Sequence, residues 1–526
     1  MSERFLFVRP DSYGDMVLFE PVIRLLRQSK SRCGIYVVIR KAYKDITSLI
    51  PGPDRWITVD VNPYANSPDR YHEELIQLKA SLDEIEPDIV IAPLYNKTWL
   101  EVLIASWYPH ARKISLGTDD LDGLTSRHLK RDFQIDSRTV FSEYIDVPAE
   151  MQELEKNLVL LSAICNAPIA DQKPRLVLTE KAKTQAEAVL AELGLINRPW
   201  VACCPAGVAN VSIKKWPDEK YAEAVAWLKN EKNLDVCLLG HADEMRILEA
   251  IQQKSCTYGY RPMVWFGNDG DIPLLSGLLS KSEFYFGNDT GAMHIAGALS
   301  RPVVAVYGGG TWPRFKTVAD NSIAIVQKLP CFGCNWKCHY ATAPCIEAIS
   351  VEKVTPLLSE IIEYRSIQER REVDIQEFSD ASIDIIRNGA FTVQNLRIES
   401  SALCLQVATL TDQLKESELD RGLRFEQIQE LTDQLKESEL DRGLRFEQIQ
   451  ELTELLKESE ADRAERLKRI HQLETRLDSV VRRLDRVERT YRALESTFVV
   501  RKARLLRLIS VGCISDPPEY GEKAIL

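Results

Sequence analysis

Several short stretches of this sequence hold residue types that could do chemistry together. The loop RPDSYGD at residues 9–15 ends on Asp15, where an amphipathic stretch with helical spacing begins, expected to form a helix over 16–28. The positive end of a helix dipole favours a carboxylate in the first turn. An ionised Asp at the mouth of a cleft can act as a general base, and an N-cap is its structural alternative. The loop PAGVANVSIKKW at 205–216 offers Ala206, Gly207, Ser212, Lys214 and Lys215 before a helix that Pro217 opens. A lysine there can neutralise a diphosphate, although paired lysines also occur as plain solvated charge. The third stretch, SEFYFGNDTGAMHIAGALSRPVVAVYGGG at 282–310, reads as strand, sharp turn, helix and strand. Its turn of small residues, Asn288 to Gly291, can cap the helix expected over 292–299. Free N–H groups at such a helix start suit a phosphate. Asp289, Thr290 and Gly291 stand on that turn, and His294 just inside it; an ordinary capped helix is the plainer reading. A weaker element is GHADE at 240–244, after a strand expected over 234–239. Asp243 or Glu244 could accept ribose hydroxyls, by analogy with the acidic residue of dinucleotide folds, or could be helix-start charge alone.

A separate cluster, Cys331, Cys334, Cys338 and Cys345, puts four thiols into 15 residues with His339 beside them. Four cysteines at such spacing can close a tetrahedral site for a structural zinc or iron. The alternatives are a reduced, loop-packed cluster and disulfides formed only on isolation.

The gross numbers bound what these residues can belong to. A chain of 526 residues exceeds one core and predicts three or four units. Hydrophobic content of 45% with 28% charged residues suits a globular body with a charge-rich extension. A net charge of −11 argues against a general nucleic-acid binder. No signal peptide is read before the strand at 5–8, and no apolar run reaches the roughly 20 residues that span a bilayer. These features predict a cytoplasmic protein whose 12 cysteines are reduced or metal-bound.

Two alternating series must position the chemistry. Strands at 5–8, 35–40 and 89–92 alternate with helices at 16–28 and 71–85, and a helix over 150–166 closes the series. A second series has strands at 200–204, 234–239, 263–266, 284–286 and 302–307, with helices at 180–193, 218–230, 244–253, 292–299 and 351–364. Alternation of this kind implies βαβ units and parallel sheets. The expectation is an α/β protein of two doubly wound domains, 1–170 and 171–365, facing each other across a ligand cleft. Residues 366–408 read as a connector. The 21-residue unit LTDQLKESELDRGLRFEQIQE then occurs twice in identical form from Leu410, with a diverged copy from Leu452. Three heptads per unit point to a long helix over 409–498. Its best seam is Ile470, Leu473, Leu477, Val480, Leu484, Val487, Tyr491, Leu494 and Phe498, an oligomerisation signal. The tail, 499–526, starts as a basic amphipathic stretch that fits either an anionic membrane surface or continuation of the helix.

Taken in order, GDMVLFEPVIRLLR, KKWPDEKY, GNDTGAMHIAGAL and RPVVAVYG resemble the motifs of glycosyltransferase family 9, the ADP-heptose:lipopolysaccharide heptosyltransferases, over residues 4–365. The resemblance implies a GT-B architecture and an inverting sugar transfer that requires no metal. It places the base that deprotonates the acceptor hydroxyl on Asp15. It puts the contact to the donor diphosphate on Lys214 rather than Lys215, and donor phosphate and sugar contacts on Asp289, Thr290 and Gly291, followed by His294. The acidic ribose contact falls on Glu244 or Asp243. Some relatives with a cysteine-bearing segment at this position bind iron through it. The sequence departs from the family where Ala292 replaces the usual Pro after the turn, and where Ala206 separates Pro205 from Gly207. The partners implied are an ADP-sugar donor, a glycan or lipid-linked acceptor, further copies of the chain through the coiled coil, and a peripheral membrane contact, with no nucleic acid. Two alternatives stand beside this reading. One is the same fold acting on a protein or small metabolite; the other is a non-catalytic assembly protein built around the coiled coil.

Overall fold

The computed structural model describes residues 3–64, 68–117, 129–130, 133–169, 172–207, 211–338, 340, 343–363, 369–379 and 445–495, with scattered helical positions between 383 and 429. The first sheet contains β1 (Arg4–Val8), β2 (Gly34–Arg40), β3 (Arg55–Val59), β4 (Ile89–Ala92), β5 (Arg112–Leu116) and β6 (Glu143–Ile145). They run parallel in the order β3-β2-β1-β4-β5-β6. Alternate residues face opposite sides. Phe5, Phe7, Ile89 and Ile91 join one apolar core, and Leu6, Val8, Val90 and Ala92 the other. Helices on both faces make that continuous apolarity necessary. They are α1 (Tyr13–Ser29), α2 (His72–Asp83), α3 (Trp99–Ser106) and α4 (Glu153–Cys165).

The second domain is built in the same way. It holds α5 (Glu180–Glu192), β7 (Trp200–Cys204), α6 (Asp218–Lys232), β8 (Asp235–His241), α7 (Met245–Cys256), β9 (Met263–Gly267) and α8 (Ile272–Lys281). β10 (Tyr285–Asn288), α9 (Gly291–Ala298), β11 (Val303–Tyr307), β12 (Ser322–Val326), α10 (Val351–Glu363) and β13 (Arg370–Asp374) complete it. The parallel order is β13-β12-β11-β10-β7-β8-β9. The expected pair of doubly wound domains is therefore present. Each sheet reverses its direction of growth at one point, between β1 and β4 and between β7 and β10, and ligands of such sheets bind at the strand ends there.

Three differences from the sequence reading have physical causes. β13 lies within residues 366–408, expected to be connector, and the body runs on to Ser379. RREVD hides there because an edge strand with charged side chains has no apolar run; it pairs in register with β12, Ser322 opposite Arg370. β10 extends through Gly287 and Asn288, residues read as strand end and turn. Helix α1 begins at Tyr13 rather than at residue 16, which puts Asp15 inside its first turn.

The two domains touch at their helix starts. Helix α1 packs on α9. A methyl group added to Gly14 would lie 3.0 Å from His294 Cδ2 and 3.5 Å from the Gly291 Cα. One added to Gly291 would lie 3.3 Å from both the Gly14 nitrogen and the Tyr13 Cβ. A second tie joins Arg314, after β11, to the start of α4. Glu153 N–H donates to the Arg314 carbonyl at 2.9 Å, and the Arg314 Nη2 lies 3.4 Å from the Glu153 carboxylate.

Residues Asp380–Val511 form a separate unit. Its main element is α11 (Arg445–Glu495), 51 residues long and including the start of the diverged repeat at Leu452. Ile470 and Val487 are buried, and Leu473, Leu477, Val480 and Leu484 are half-buried, so the expected apolar seam lies on a shielded face. Leu403 and Leu410 are also buried, and Arg424 pairs with Asp462, so other segments of the same unit cover part of this helix. The side chains of Tyr491, Leu494 and Phe498, most of the two identical repeats, and the basic tail lie outside the described residues. Among the described residues no helix is long and apolar enough to cross a membrane.

Gly14→Ala should force the two helix starts apart by a few tenths of an ångström. The expected result is a loss of about tenfold in catalytic rate with little change in melting temperature, read from paired activity and thermal-melt measurements.

Candidate active site

The loop after β1 is organised by Arg9, whose side chain is fully buried. Its guanidinium lies 3.3 Å from Asp11, 3.8 Å from Asp15 and 3.2 Å from Glu153. It also donates to the Pro93 carbonyl at 3.0 Å, at the end of β4, and stacks on the Phe19 ring at 5.3 Å. Buried charge is tolerable only when paired in this way. Asp15 is the third residue of α1. Its Oδ2 accepts from the Ser12 hydroxyl at 2.6 Å and from the Ser12 N–H at 3.3 Å, a capping box that fixes the carboxylate. The capping role weighed against catalysis thus coexists with a carboxylate aimed at the cleft. Burial pushes the Asp15 carboxyl above its ordinary range, against the pull of Arg9, with Glu153 adding to the rise.

On the facing domain Asn288 is the hidden brace. Fully buried, it accepts the Trp216 N–H at 3.1 Å and the Tyr221 hydroxyl at 2.8 Å, and donates to the Pro205 carbonyl at 2.8 Å. One side chain thereby ties both ends of the 205–216 loop to the Asp289–Gly291 turn. Thr290 caps α9; its hydroxyl meets the Tyr285 hydroxyl at 3.2 Å, and its methyl lies against Gly207. Gly207 has φ of +80°, and a Cβ there would sit 2.9 Å from the Thr290 methyl, so two constraints require glycine. Burial raises Asp289 to about 6, with Lys214 opposing and Asp15 reinforcing the shift. Burial, helped by Lys214, lowers His294 to about 3, so the imidazole is neutral. Its Nδ1 is buried with no hydrogen-bond partner among the described residues.

The two lysines separate cleanly. Lys215 is committed to Asp218 at 2.7 Å, at the start of α6. The charge of Lys214 acts on both Asp289 and His294. The two acidic candidates separate as well. Glu244 accepts the Gly207 N–H at 2.5 Å and the His241 N–H at 3.1 Å, which brings it to the donor loop. Asp243 is solvent-exposed and faces His241 Nδ1 at 3.3 Å. Thus Asp15, Lys214, Asp289, Thr290, Gly291, His294 and Glu244 gather at the facing strand ends, while Asp243 does not. Arg9, Asp11, Asn288, Glu153 and Arg314 complete the site. Asn288, Arg9 and Asp11 stood in stretches already under scrutiny, whereas Glu153 and Arg314 lay outside them.

The cysteine segment lies over the end of β11. Phe332 and Trp336 cover Gly309 and Gly310, and the N–H groups of Gly333 and Asn335 donate to the Gly309 and Gly310 carbonyls at 2.7 and 2.8 Å. Side chains at 308–310 would collide with those rings. Cys345 is buried and accepts the Gly309 N–H at 3.5 Å. Burial pushes Cys331 and Cys345 each up to about 12, and the neighbouring cysteines add to the rise. Among the described residues no three Cys, His, Asp or Glu side chains are arranged to hold a metal ion. Cys331, Cys334, Cys338 and Cys345 are neighbours within this segment, and His339 lies outside the described residues.

Two facing Rossmann-like domains with the site at their switch points define a GT-B glycosyltransferase. Residues 126–341 match the family model for glycosyltransferase family 9 (heptosyltransferase), which together with the relatives below supports a glycosyltransferase. The lipooligosaccharide heptosyltransferase 2 of Haemophilus ducreyi is 24% identical over 331 residues, 62% of this chain and 88% of that protein. The family 9 glycosyltransferase of Veillonella parvula has the same fold, with a TM-score of 0.54 at 18% identity over 69% of this chain and 97% of its own. The ADP-heptose LPS heptosyltransferase II of Escherichia coli gives 0.52 at 18% identity over 69% and 99%.

Asn288→Ala would leave the Trp216 N–H, the Tyr221 hydroxyl and the Pro205 carbonyl unpaired in the interior. A destabilisation of about 2–4 kcal/mol is expected in denaturant melts. Lys214→Ala should lower kcat/KM for donor by about a hundredfold, and Lys215→Ala by less than about threefold; steady-state kinetics of the two variants would show the contrast.

Proposed function

We propose that this glycosyltransferase moves a heptose, or a related sugar, from an ADP-activated donor to a glycan or lipopolysaccharide-type acceptor with inversion. The observation that carries the reading is the meeting of Asp15 with the Asp289–Gly291 turn across the Gly14–Gly291 contact. A base and an anion-binding helix start then share one cleft. Asp15 takes the proton of an acceptor hydroxyl as its oxygen bonds to the anomeric carbon. The bond from that carbon to the diphosphate oxygen breaks, and its electron pair leaves with the nucleoside diphosphate.

Charge develops on that leaving group. Lys214 and the N–H groups at the start of α9 are its stabilisers, and they act most strongly in the transition state. Thr290 and Gly291 shape the phosphate cradle. Glu244, held beside Gly207, is the better placed of the two acidic residues for ribose hydroxyls, and neutral His294 offers a polar contact without charge. In this reading Lys214 and the backbone N–H groups, without a metal, meet the charge on the leaving group. Work on lipid-linked acceptors is consistent with a cytoplasmic enzyme at the inner membrane face. The α11 seam is the element for self-association and the basic stretch after residue 498 the one for membrane contact. The heptosyltransferase names of the relatives favour this reading over a protein or metabolite acceptor. Intact Asp15, Lys214 and Asp289 count against a purely structural protein.

The test is a transfer assay with ADP-heptose, ADP-glucose, UDP-sugars and GDP-sugars on whole-cell glycolipid. ADP-heptose should be the preferred donor. Asp15→Asn should reduce transfer by at least a thousandfold while ADP binding stays within about threefold; a fully active variant would remove Asp15 from the base role. Because Asp15 must be ionised and its carboxyl is raised, wild-type kcat/KM should fall as pH drops through that raised value.

A further inference from the structure

One arginine, Arg9, is faced by three carboxylates, Asp11 at 3.3 Å, Asp15 at 3.8 Å and Glu153 at 3.2 Å. Glu153 has a second cation in Arg314, at 3.4 Å, and a more distant one in Lys156, at 3.8 Å. Among the described residues Asp11 has Arg9 as its paired cation, and it accepts a hydrogen bond from the Tyr64 hydroxyl. Both Asp11 and Asp15 keep an open edge on the cleft, with side chains 17% and 14% exposed. Carboxylates gathered this closely in a largely buried site each disfavour the ionisation of the others. Glu153 draws on Arg314 and Lys156 as well, so Arg9 is the near cation that Asp11 and Asp15 must share.

We propose that Asp11 is a positioning residue of the acceptor side, which holds the proton of this cluster and so leaves Asp15 anionic and ready to act as base. This rests on the base role proposed for Asp15. The groups facing Asp11 are Arg9 and Asp15 from its own segment, Glu153 from α4 and Tyr64 from the loop after β3. Burial is the largest influence and raises the Asp11 carboxyl to about 8, with Asp15 adding to the rise and Arg9 and the Tyr64 hydrogen bond opposing it. Glu153 moves the other way, below its ordinary range, because Arg9, Arg314 and Lys156 outweigh its burial. In neutral solution Asp11 is therefore a hydrogen-bond donor beside the base, and it loses that role as pH rises through about 8. Its ionised form would compete with Asp15 for Arg9 and release the base from its orientation.

The experiment has two readouts. Protein labelled with 13C at the aspartate carboxyls is titrated by NMR, and one resonance should titrate between about pH 7 and 9 and be missing from Asp11→Asn. Absence of such a resonance from the wild type, or its survival in the variant, overturns the proposal. With ADP-heptose and glycolipid, wild-type kcat/KM should fall about tenfold from pH 7 to pH 9, and Asp11→Asn should lose that descending limb. Tyr64→Phe, which removes a hydrogen bond to the ionised form, should shift the limb to higher pH. A limb unchanged in both variants, or an Asp11→Asn enzyme inactive at every pH, also overturns the proposal. If the wild type transfers nothing, the assignment of function fails, and the carboxyl titration alone decides the role of Asp11.

Discussion

Two helix starts meeting at close range set the terms for everything else in the cleft. Each N-terminus carries about half a positive charge and unpaired N–H groups. Bringing α1 against α9 is unfavourable unless negative charge lies between them. Asp15 supplies part of it from one side and Asp289 from the other, and a nucleoside diphosphate would supply more. The approach also needs backbones without side chains, which is why Gly14 and Gly291 stand where they do. Binding of the donor and closeness of the domains are thus one electrostatic problem rather than two.

Around this contact the two domains divide the work by kind of support. The N-terminal domain's side is held by charge: Arg9 collects carboxylates from its own loop and from α4, and Arg314 reaches over from the other domain to share Glu153. The C-terminal domain's side is held chiefly by hydrogen bonds from a neutral side chain, with Asn288 bracing both ends of the 205–216 loop. A charged cluster can shift its protons when substrate arrives, whereas a neutral brace cannot. That difference suits a base on one side and a rigid phosphate cradle on the other.

The α11 unit follows other physics. Its apolar positions recur at heptad spacing over a highly charged background, and its seam residues are the less exposed ones. The buried Leu403 and Leu410 and the Arg424–Asp462 pair show that helices of the same chain cover part of it. In the cysteine segment, Cys345 meets the Gly309 N–H and aromatic rings fill the space over β11.

The amino-acid sequence by itself determined the alternation of apolar strands and amphipathic helices, and hence two parallel-sheet domains. Local rules of pleat and helix period act within a few residues, so they can be read there. It also singled out turns that the fold brings together, since Asp15, Lys214 and Asp289 each sit beside a helix start or Gly-rich loop. Edge strands such as β13 and the short β6 escaped, because pairing with a neighbour, not apolar content, makes them strands. Only the tertiary structure decided that Lys214 rather than Lys215 faces the site by geometry, and that Glu244 turns inward while Asp243 stays in solvent. It alone showed Arg9 gathering carboxylates that lie up to 144 positions away. Charge pairing at 3–4 Å depends on which strand ends become neighbours, and sheet order, not sequence order, sets that.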